Sequence, residues 1–120
     1  MKIFEGIDLT DSFVLSWRQS PTEILFNLEA SIWPQSEYYE EPIDDEITCY
    51  KPATLIFKNV DEVSGLLEMS EVRPFSDASG EKDYGNIDSL EQINNGYRVV
   101  GEFGSVLING GSVLFEISET

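Results

Sequence analysis

The segment of residues 37–46 places six acidic residues and two tyrosines within ten positions. Carboxylates at this density attract a cationic surface over distance, and aromatic rings often supply the buried contacts of a protein interface. Trp33 precedes the segment and adds a third aromatic residue. The pattern therefore predicts a protein-binding surface formed by Trp33, Glu37, Tyr38, Tyr39, Glu40, Glu41, Asp44, Asp45 and Glu46.

No basic residue interrupts this charge for a long stretch of sequence. Arg18 and Lys51 are successive basic residues, and the 32 positions between them carry eight acids. The partner expected here is a basic protein. The alternative is a solvated loop whose charge promotes solubility, with Tyr38 or Tyr39 turned inward against the core.

A second acidic segment, residues 77–88, has oxygen-bearing side chains at positions 1, 3, 5, 7 and 12, as a calcium-binding EF-hand loop has. Lys82 occupies the sixth position, where such loops need glycine, and Asp88 is shorter than the usual glutamate. We therefore expect a polar loop with aspartate-stabilised turns, and no metal or other cofactor. Asp83 and Asp88 also form a candidate carboxylate pair for glycoside hydrolysis, but their spacing alone does not indicate that reaction.

The chain contains no histidine and a single cysteine, Cys49. This composition excludes Ser-His-Asp and Cys-His catalysis, thiolate-clustered zinc and an internal disulfide. Cys49 lies in a predicted strand without a neighbouring base, which favours a buried, unreactive thiol. The glycines at residues 101–104 and 110–111 lack the lysine that follows a phosphate-binding loop. We therefore expect no enzyme activity.

The whole chain carries 23 acidic residues against seven basic ones, a formal net charge of −16. This charge opposes direct binding to nucleic-acid phosphates or to an anionic membrane. Neither a secretory signal nor an apolar run of about 18 residues is present, so the expected location is the cytoplasm. Its 120 residues, 41% of them hydrophobic, predict a single folded domain over residues 1–120. Composition does not indicate the oligomeric state.

Alternation of apolar and polar residues predicts that strands position these side chains. The first two strands, residues 12–18 and 23–32, are joined by turn residues 19–22 and form an antiparallel hairpin. The acidic loop comprises residues 33–46. After it, a third strand covers residues 47–60, where Pro52 indicates a sheet edge, a bulge or a break.

The second half of the chain also favours strands. Residues 61–72 favour a strand over a helix, residues 74–86 a surface loop, and residues 87–93 one short helix. The sequence Asn-Gly-Gly at residues 109–111 predicts a type I′ hairpin turn. We expect an all-β or mainly β fold, an antiparallel sandwich or strongly curved sheet of about six to eight strands with at most one short helix. The strands predicted for the final meander are residues 97–103, 105–108 and 112–118.

The order of several segments resembles that of small acidic immunity proteins from bacterial toxin–immunity systems. Those segments are residues 11–17, residues 25–29, the acidic loop, Cys49 with Tyr50, and residues 55–57. The resemblance covers about the first half of the chain. It implies a cytoplasmic protein that binds a cognate toxin, often a basic nuclease, and occludes its active site without catalysis. It assigns no functional residue by motif.

Charge, loop and resemblance together predict a non-enzymatic acidic binding protein that neutralises a basic protein partner, as an immunity protein inhibits a toxin nuclease. One alternative is a nucleic-acid mimic, whose carboxylates replace phosphates and which binds several unrelated nucleic-acid-binding proteins. Another is a small β-scaffold domain that binds a ligand in a cleft with convergent polar groups.

Overall fold

The computed structural model describes residues 1–42 and 47–118, which are mostly strands. Six strands form one antiparallel sheet and two short strands form another, so the predicted mainly β fold with a curved sheet is confirmed. Two 3-10 helices are present, η1 (Lys2–Phe4) and η2 (Met69–Glu71), and no described helix has the length and apolar character needed to traverse a bilayer. The strands are β1 (Ile7–Gln19), β2 (Glu23–Ile32), β3 (Cys49–Ser64), β4 (Phe75–Ser76), β5 (Lys82–Asp83), β6 (Ile87–Ile93), β7 (Gly96–Gly101) and β8 (Gly104–Ile117).

The large sheet has the order β1-β2-β3-β8-β7-β6 and curls until its two ends meet. The backbone N–H of Val14 on β1 donates to the carbonyl oxygen of Gly85 at 2.8 Å, and Tyr84 N–H donates to the Val14 carbonyl at 2.8 Å. Phe13 forms an isolated antiparallel bridge with Asn86. We call this contact between residues 13–14 and residues 84–86 the seam.

The concave side of the curled sheet holds the hydrophobic core. On β2, Ile24, Phe26 and Leu28 are almost completely buried, as the alternation over residues 23–32 predicts. The Phe26 ring contacts Phe103 with a centroid distance of 4.8 Å and Phe57 at 6.4 Å. Aromatic contacts therefore link β2, β3 and the β7–β8 turn across the concave side.

The predicted β1–β2 hairpin is confirmed, and β2 has the predicted bounds. β1 begins at Ile7 instead of residue 12, because a bulge between Asp8 and Phe13 interrupts its register with β2. A second register shift lies between Val14 and Ser16, so Val14 and Trp17 are buried while Leu15, expected on the same face as Trp17, is exposed.

Pro52 does not divide β3, which is a central strand flanked by β2 and β8. The Pro52 carbonyl accepts the Ser118 N–H at 2.8 Å. Because the N and C=O of one strand residue point to the same side, the missing Pro52 N–H faces the end of β8 and costs no hydrogen bond to β2. The strand therefore continues through the proline.

Residues 87–93 form β6, so the predicted short helix is wrong. β6 pairs with β7 across a turn at Asn94 and Asn95, and Asp88 is an extra residue between two pairs of the ladder. This bulge returns Ile87 and Leu90, three positions apart, to the same face of the sheet. The Asn-Asn-Gly sequence at residues 94–96, which can also end a helix, instead makes the turn into β7.

The hairpin turn predicted at residues 109–111 is also wrong, because β8 runs continuously from Gly104 to Ile117. Gly110 and Gly111 have φ angles of +79° and +82°, as a type I′ turn requires, but they bend the strand without reversing it. The chain reverses between β7 and β8 at Glu102 and Phe103. β6, β7 and β8 form a meander, but not from the three predicted strands, because the predicted strands 105–108 and 112–118 are one strand and β6 lies where a helix was expected.

Residues 61–64 continue β3, but the expected strand is wrong beyond Ser64, where the chain leaves the sheet and then forms η2. The segment 74–86, expected to be a surface loop, contains the β4–β5 hairpin and one side of the seam. The Tyr84 ring packs against Trp17 at a centroid distance of 5.1 Å. This segment therefore closes the core.

Candidate functional site

The described part of the acidic loop, residues 33–42, is fixed by hydrogen bonds to the chain that precedes β1. Trp33 N–H donates to the Gly6 carbonyl at 2.8 Å, and Ser36 N–H donates to the Trp33 carbonyl at 2.9 Å. A second turn follows, in which Tyr39 N–H donates to the Ser36 carbonyl at 3.2 Å. The backbone geometry therefore sets the positions of the side chains along the loop.

Gly6 allows this close approach. Its φ is +76°, and a Cβ atom at this position would overlap the backbone nitrogen of Ser36. A larger residue would force apart η1 and the acidic loop. The N-terminal segment is consequently part of the candidate surface.

The structure separates the predicted site residues into two groups. Trp33 is 49% exposed, and Glu37, Glu40 and Glu41 are also exposed. Tyr38 and Tyr39 are half-buried and pack against the core, as the alternative interpretation of the loop expects. The other three predicted residues, Asp44, Asp45 and Glu46, lie outside the described residues.

One basic residue reaches the acidic loop. Lys51 on β3 follows the acidic segment in sequence. Its Nζ lies 3.4 Å from Oε1 of Glu40, so it neutralises part of the negative charge of the loop. Burial raises the pKa of Tyr39, and the neighbouring Glu41 carboxylate and Cys49 raise it further. The Tyr39 phenol therefore remains neutral at physiological pH. Cys49 itself is buried, as predicted.

A groove of about 740 Å³ lies between η1, residues 35–38 and the end of β8, and we call it the edge groove. Glu37 and Tyr38 of the acidic loop line it. The Phe4 ring meets Phe115 of β8 in an edge-to-face contact with centroids 5.5 Å apart. The curl of the sheet brings distant parts of the chain together here, so sequence reasoning did not assign nine of the lining residues to the site: Lys2, Ile3, Glu5, Ile7, Gln35, Ser36, Phe115, Glu116 and Ile117.

A buried polar cluster supports the bulge in β1. The Ser12 hydroxyl, which is fully buried, donates to the Asp8 carbonyl at 2.7 Å and accepts the Ser31 N–H at 2.9 Å. Asp11 Oδ2 accepts the Ser31 hydroxyl at 3.0 Å and the Tyr50 hydroxyl at 3.2 Å. Burial raises the pKa of Tyr50, and the Asp11 carboxylate raises it further. The Ser12 hydroxyl therefore joins the bulged segment to Asp8 and Ser31, the ladder pair that precedes it.

Within residues 77–88, the carboxylates of Asp77 and Asp83 accept hydrogen bonds from groups of the same segment. Asp77 Oδ1 accepts the Ser79 hydroxyl at 2.6 Å, Ser79 N–H at 2.9 Å and Glu81 N–H at 3.0 Å, and these bonds hold the pKa of Asp77 below its usual value. Asp83 Oδ1 accepts the Gly85 N–H at 2.8 Å. The predicted aspartate-stabilised turns are confirmed. Over residues 1–42 and 47–118, no group of three or more acidic or cysteine side chains is arranged to hold a metal ion.

Comparisons of the chain with protein-family models, curated proteins and solved structures find no match. The surface that combines exposed carboxylates, an exposed indole and a groove is formed by the acidic loop, η1 and the end of β8. Function is therefore inferred from this surface.

Proposed function

We propose that this chain is a non-enzymatic acidic binding protein that neutralises a basic protein partner, and specifically an immunity protein that inhibits a toxin nuclease in the cytoplasm. The observation that carries the proposal is the exposure of Glu37 and Glu41 on the acidic loop beside the edge groove. These carboxylates belong to a chain with a net charge of −16. A negative field of this kind accelerates the encounter with a cationic protein.

Trp33 is the aromatic anchor of this surface. Its side chain is 49% exposed, whereas its backbone N–H is held by Gly6. An exposed indole on a fixed backbone loses little conformational entropy when a partner covers it. Tyr38 and Tyr39 instead stabilise the loop by packing against the core.

Reversing the charge of Glu37 and Glu41 tests the steering role of the loop. The proposal expects the partner to be a basic protein encoded immediately upstream, and its association with this chain is followed by stopped-flow fluorescence. The variant Glu37→Lys/Glu41→Lys should associate about tenfold more slowly and lose most of the salt dependence of the wild-type rate. Glu40 is left unchanged because it pairs with Lys51.

Trp33→Ala should act on dissociation. A buried aromatic anchor contributes about 2 kcal/mol, so the dissociation rate should rise by more than tenfold with little dependence on salt. Surface plasmon resonance separates this effect from the slower association of the charge variant.

The matched control is Glu62→Lys/Glu81→Lys, which changes the net charge equally at two exposed positions outside the acidic loop and the edge groove. If this control slows association as much as the loop variant, binding depends on net charge and the proposed surface is wrong. Equal affinity for several unrelated nucleic-acid-binding proteins would instead show a nucleic-acid mimic.

A further inference from the structure

The outer edge of β8 is unpaired beyond the bend at Gly110 and Gly111. β7 pairs with β8 only as far as the partners Gly96 and Asn109. Beyond the bend, residues 112–117 continue along β3 on one side, and among the described residues no strand pairs with their other side. We call residues 112–117 the free edge.

The hydrogen bond at the end of β8 indicates which backbone groups face outward. Ser118 N–H donates to the Pro52 carbonyl, so this residue points its backbone toward β3. Backbone direction alternates along an antiparallel strand, and Glu116 and Leu114 therefore also point toward β3. The N–H and C=O groups of Val113, Phe115 and Ile117 consequently face away from it.

The edge groove runs beside these groups. Its lining includes three consecutive residues of β8, namely Phe115, Glu116 and Ile117. Its other lining residues lie at positions 2–7 and 35–38, and none of the described lining residues belongs to β3, so the groove lies on the side of β8 away from β3. An incoming strand there would meet both outward-facing backbone groups and a shaped cavity.

The two sides of the free edge differ in chemistry. Phe115 lies on the concave side, where it packs with Phe4, and Ile3 also lines the groove. Glu116 lies on the opposite face of β8 and is exposed. Glu5 and Glu37 add two carboxylates to the groove, against the single ammonium group of Lys2.

We propose that the free edge accepts an extended segment of the basic partner as an additional antiparallel strand, a proposal that rests on the proposed function. The segment alternates Val or Ile with Lys or Arg. Its apolar side chains lie beside Phe115 and its basic side chains beside Glu116, and both kinds meet the edge groove, which Phe115 and Glu116 line together with Glu5 and Glu37. Main-chain hydrogen bonds to Val113, Phe115 and Ile117 provide affinity, and the alternating side chains provide specificity.

Charge decides against a second copy of this chain as the occupant. Two copies paired edge to edge would bring together two chains of net charge −16, each with Glu116 exposed on its free edge. Like charges on paired strands are destabilising. The outer edge of β6 is less suited to accept a strand. Asp88 forms a bulge there, and the residues that precede Ile87 take part in the seam.

The probe is an end-capped synthetic peptide of about seven residues that alternates Val and Lys, the length of strand that six edge residues accommodate. Amide hydrogen exchange by NMR should show fast exchange at Val113, Phe115 and Ile117 in the free protein and slower exchange when the peptide is bound. Leu114 and Glu116 should be protected in both states. Equal protection of all five amides without peptide would overturn the proposal.

N-methylated peptides test the hydrogen bonds directly. In an antiparallel pair, the valines opposite Val113 and Phe115 donate to β8, whereas the lysine N–H groups point away. Methylating the valine nitrogens should weaken binding about tenfold or more, and methylating the lysine nitrogens should leave it almost unchanged. The reverse result would overturn the antiparallel pairing.

Charge variants complete the test. Glu5→Lys/Glu116→Lys should weaken the peptide about threefold or more, whereas the control Glu62→Lys/Glu81→Lys should not. Equal weakening by both variants would overturn the assignment to the free edge, as would a dimer that forms through β8 in sedimentation experiments. If the peptide fails but the upstream-encoded protein still binds through Glu37, Glu41 and Trp33, this inference fails and the proposed function stands.

Discussion

At the residue scale, the buried hydroxyl of Ser12 bonds to the Asp8 carbonyl and to the Ser31 N–H, which belong to the β1–β2 pair that adjoins the bulge. Its loss in Ser12→Ala leaves the Asp8 carbonyl and the Ser31 N–H without that partner, and should destabilise the protein by about 1–3 kcal/mol in urea unfolding. Ser16→Ala is the control, because Ser16 accepts an exposed Asn27 amide and should cost less than about 0.5 kcal/mol. Equal costs would show that the bulge does not depend on Ser12.

Tyr50 gives the same cluster a pH dependence. Because burial and Asp11 raise its pKa above the ordinary value of 10.0, the folded state retains the phenol proton more strongly than the unfolded state does. The stabilisation that this difference in proton affinity provides is complete below pH 10 and is lost as the pH rises through the folded-state pKa. Tyr50→Phe should therefore reduce the alkaline loss of unfolding free energy, measured by urea titrations below and above pH 10. An unchanged alkaline slope would contradict this.

The candidate site was predictable at this scale only in part. Sequence charge predicted that the acids of the loop are exposed, and Glu37, Glu40 and Glu41 are. It left two orientations open for Tyr38 and Tyr39, because an aromatic residue in a polar loop fits either an interface or a core. Their inward packing depends on the curl of the sheet, which no local pattern encodes.

At the scale of elements, the bend in β8 depends on glycine. Gly111 has a φ of +82°, and a Cβ atom there would overlap the Lys58 carbonyl oxygen of β3. Gly111→Ala should combine about 1–2 kcal/mol of backbone strain with about 1–3 kcal/mol of overpacking. Gly80→Ala is the control, since Gly80 has a φ of +89° in open space and should lose only the strain. Thermal unfolding of both variants measures the difference.

The wrong element predictions share a physical cause. Positive φ at Gly110 and Gly111 is compatible with a reversing turn and with a strand bend, and the pairing with β3 on both sides of these glycines selects the bend. Likewise, Asn94-Asn95-Gly96 is compatible with a helix end and with a hairpin turn, and the pairing of β6 with β7 selects the turn. The regular strand β2 was predictable because one of its faces is apolar and buried from Ile24 to Ile32. Irregularities that long-range partners impose were not.

At the scale of the whole molecule, Trp17 joins separate parts of the fold. Its ring contacts Tyr84 at 5.1 Å and Phe103 at 6.0 Å, and its indole N–H donates to the Leu67 carbonyl at 2.8 Å. Trp17→Phe removes this hydrogen bond and part of the buried ring, and should cost about 2–3 kcal/mol in urea unfolding followed by circular dichroism. Trp33→Phe, at an exposed position, should change stability by less than about 0.5 kcal/mol. A similar loss from both would contradict the bridging role of Trp17.

The seam has a kinetic consequence. Residues 13–14 meet residues 84–86 across about 70 intervening positions, whereas each of the hairpins β1–β2, β6–β7 and β7–β8 closes within a short span of chain. Closing the long span costs entropy before any contact compensates for it, so the hairpins should nucleate first and the two halves should dock late. Contacts that form after the transition state mainly govern the rate of unfolding. The seam should therefore affect the unfolding rate, and so the lifetime of the folded protein, more than the folding rate.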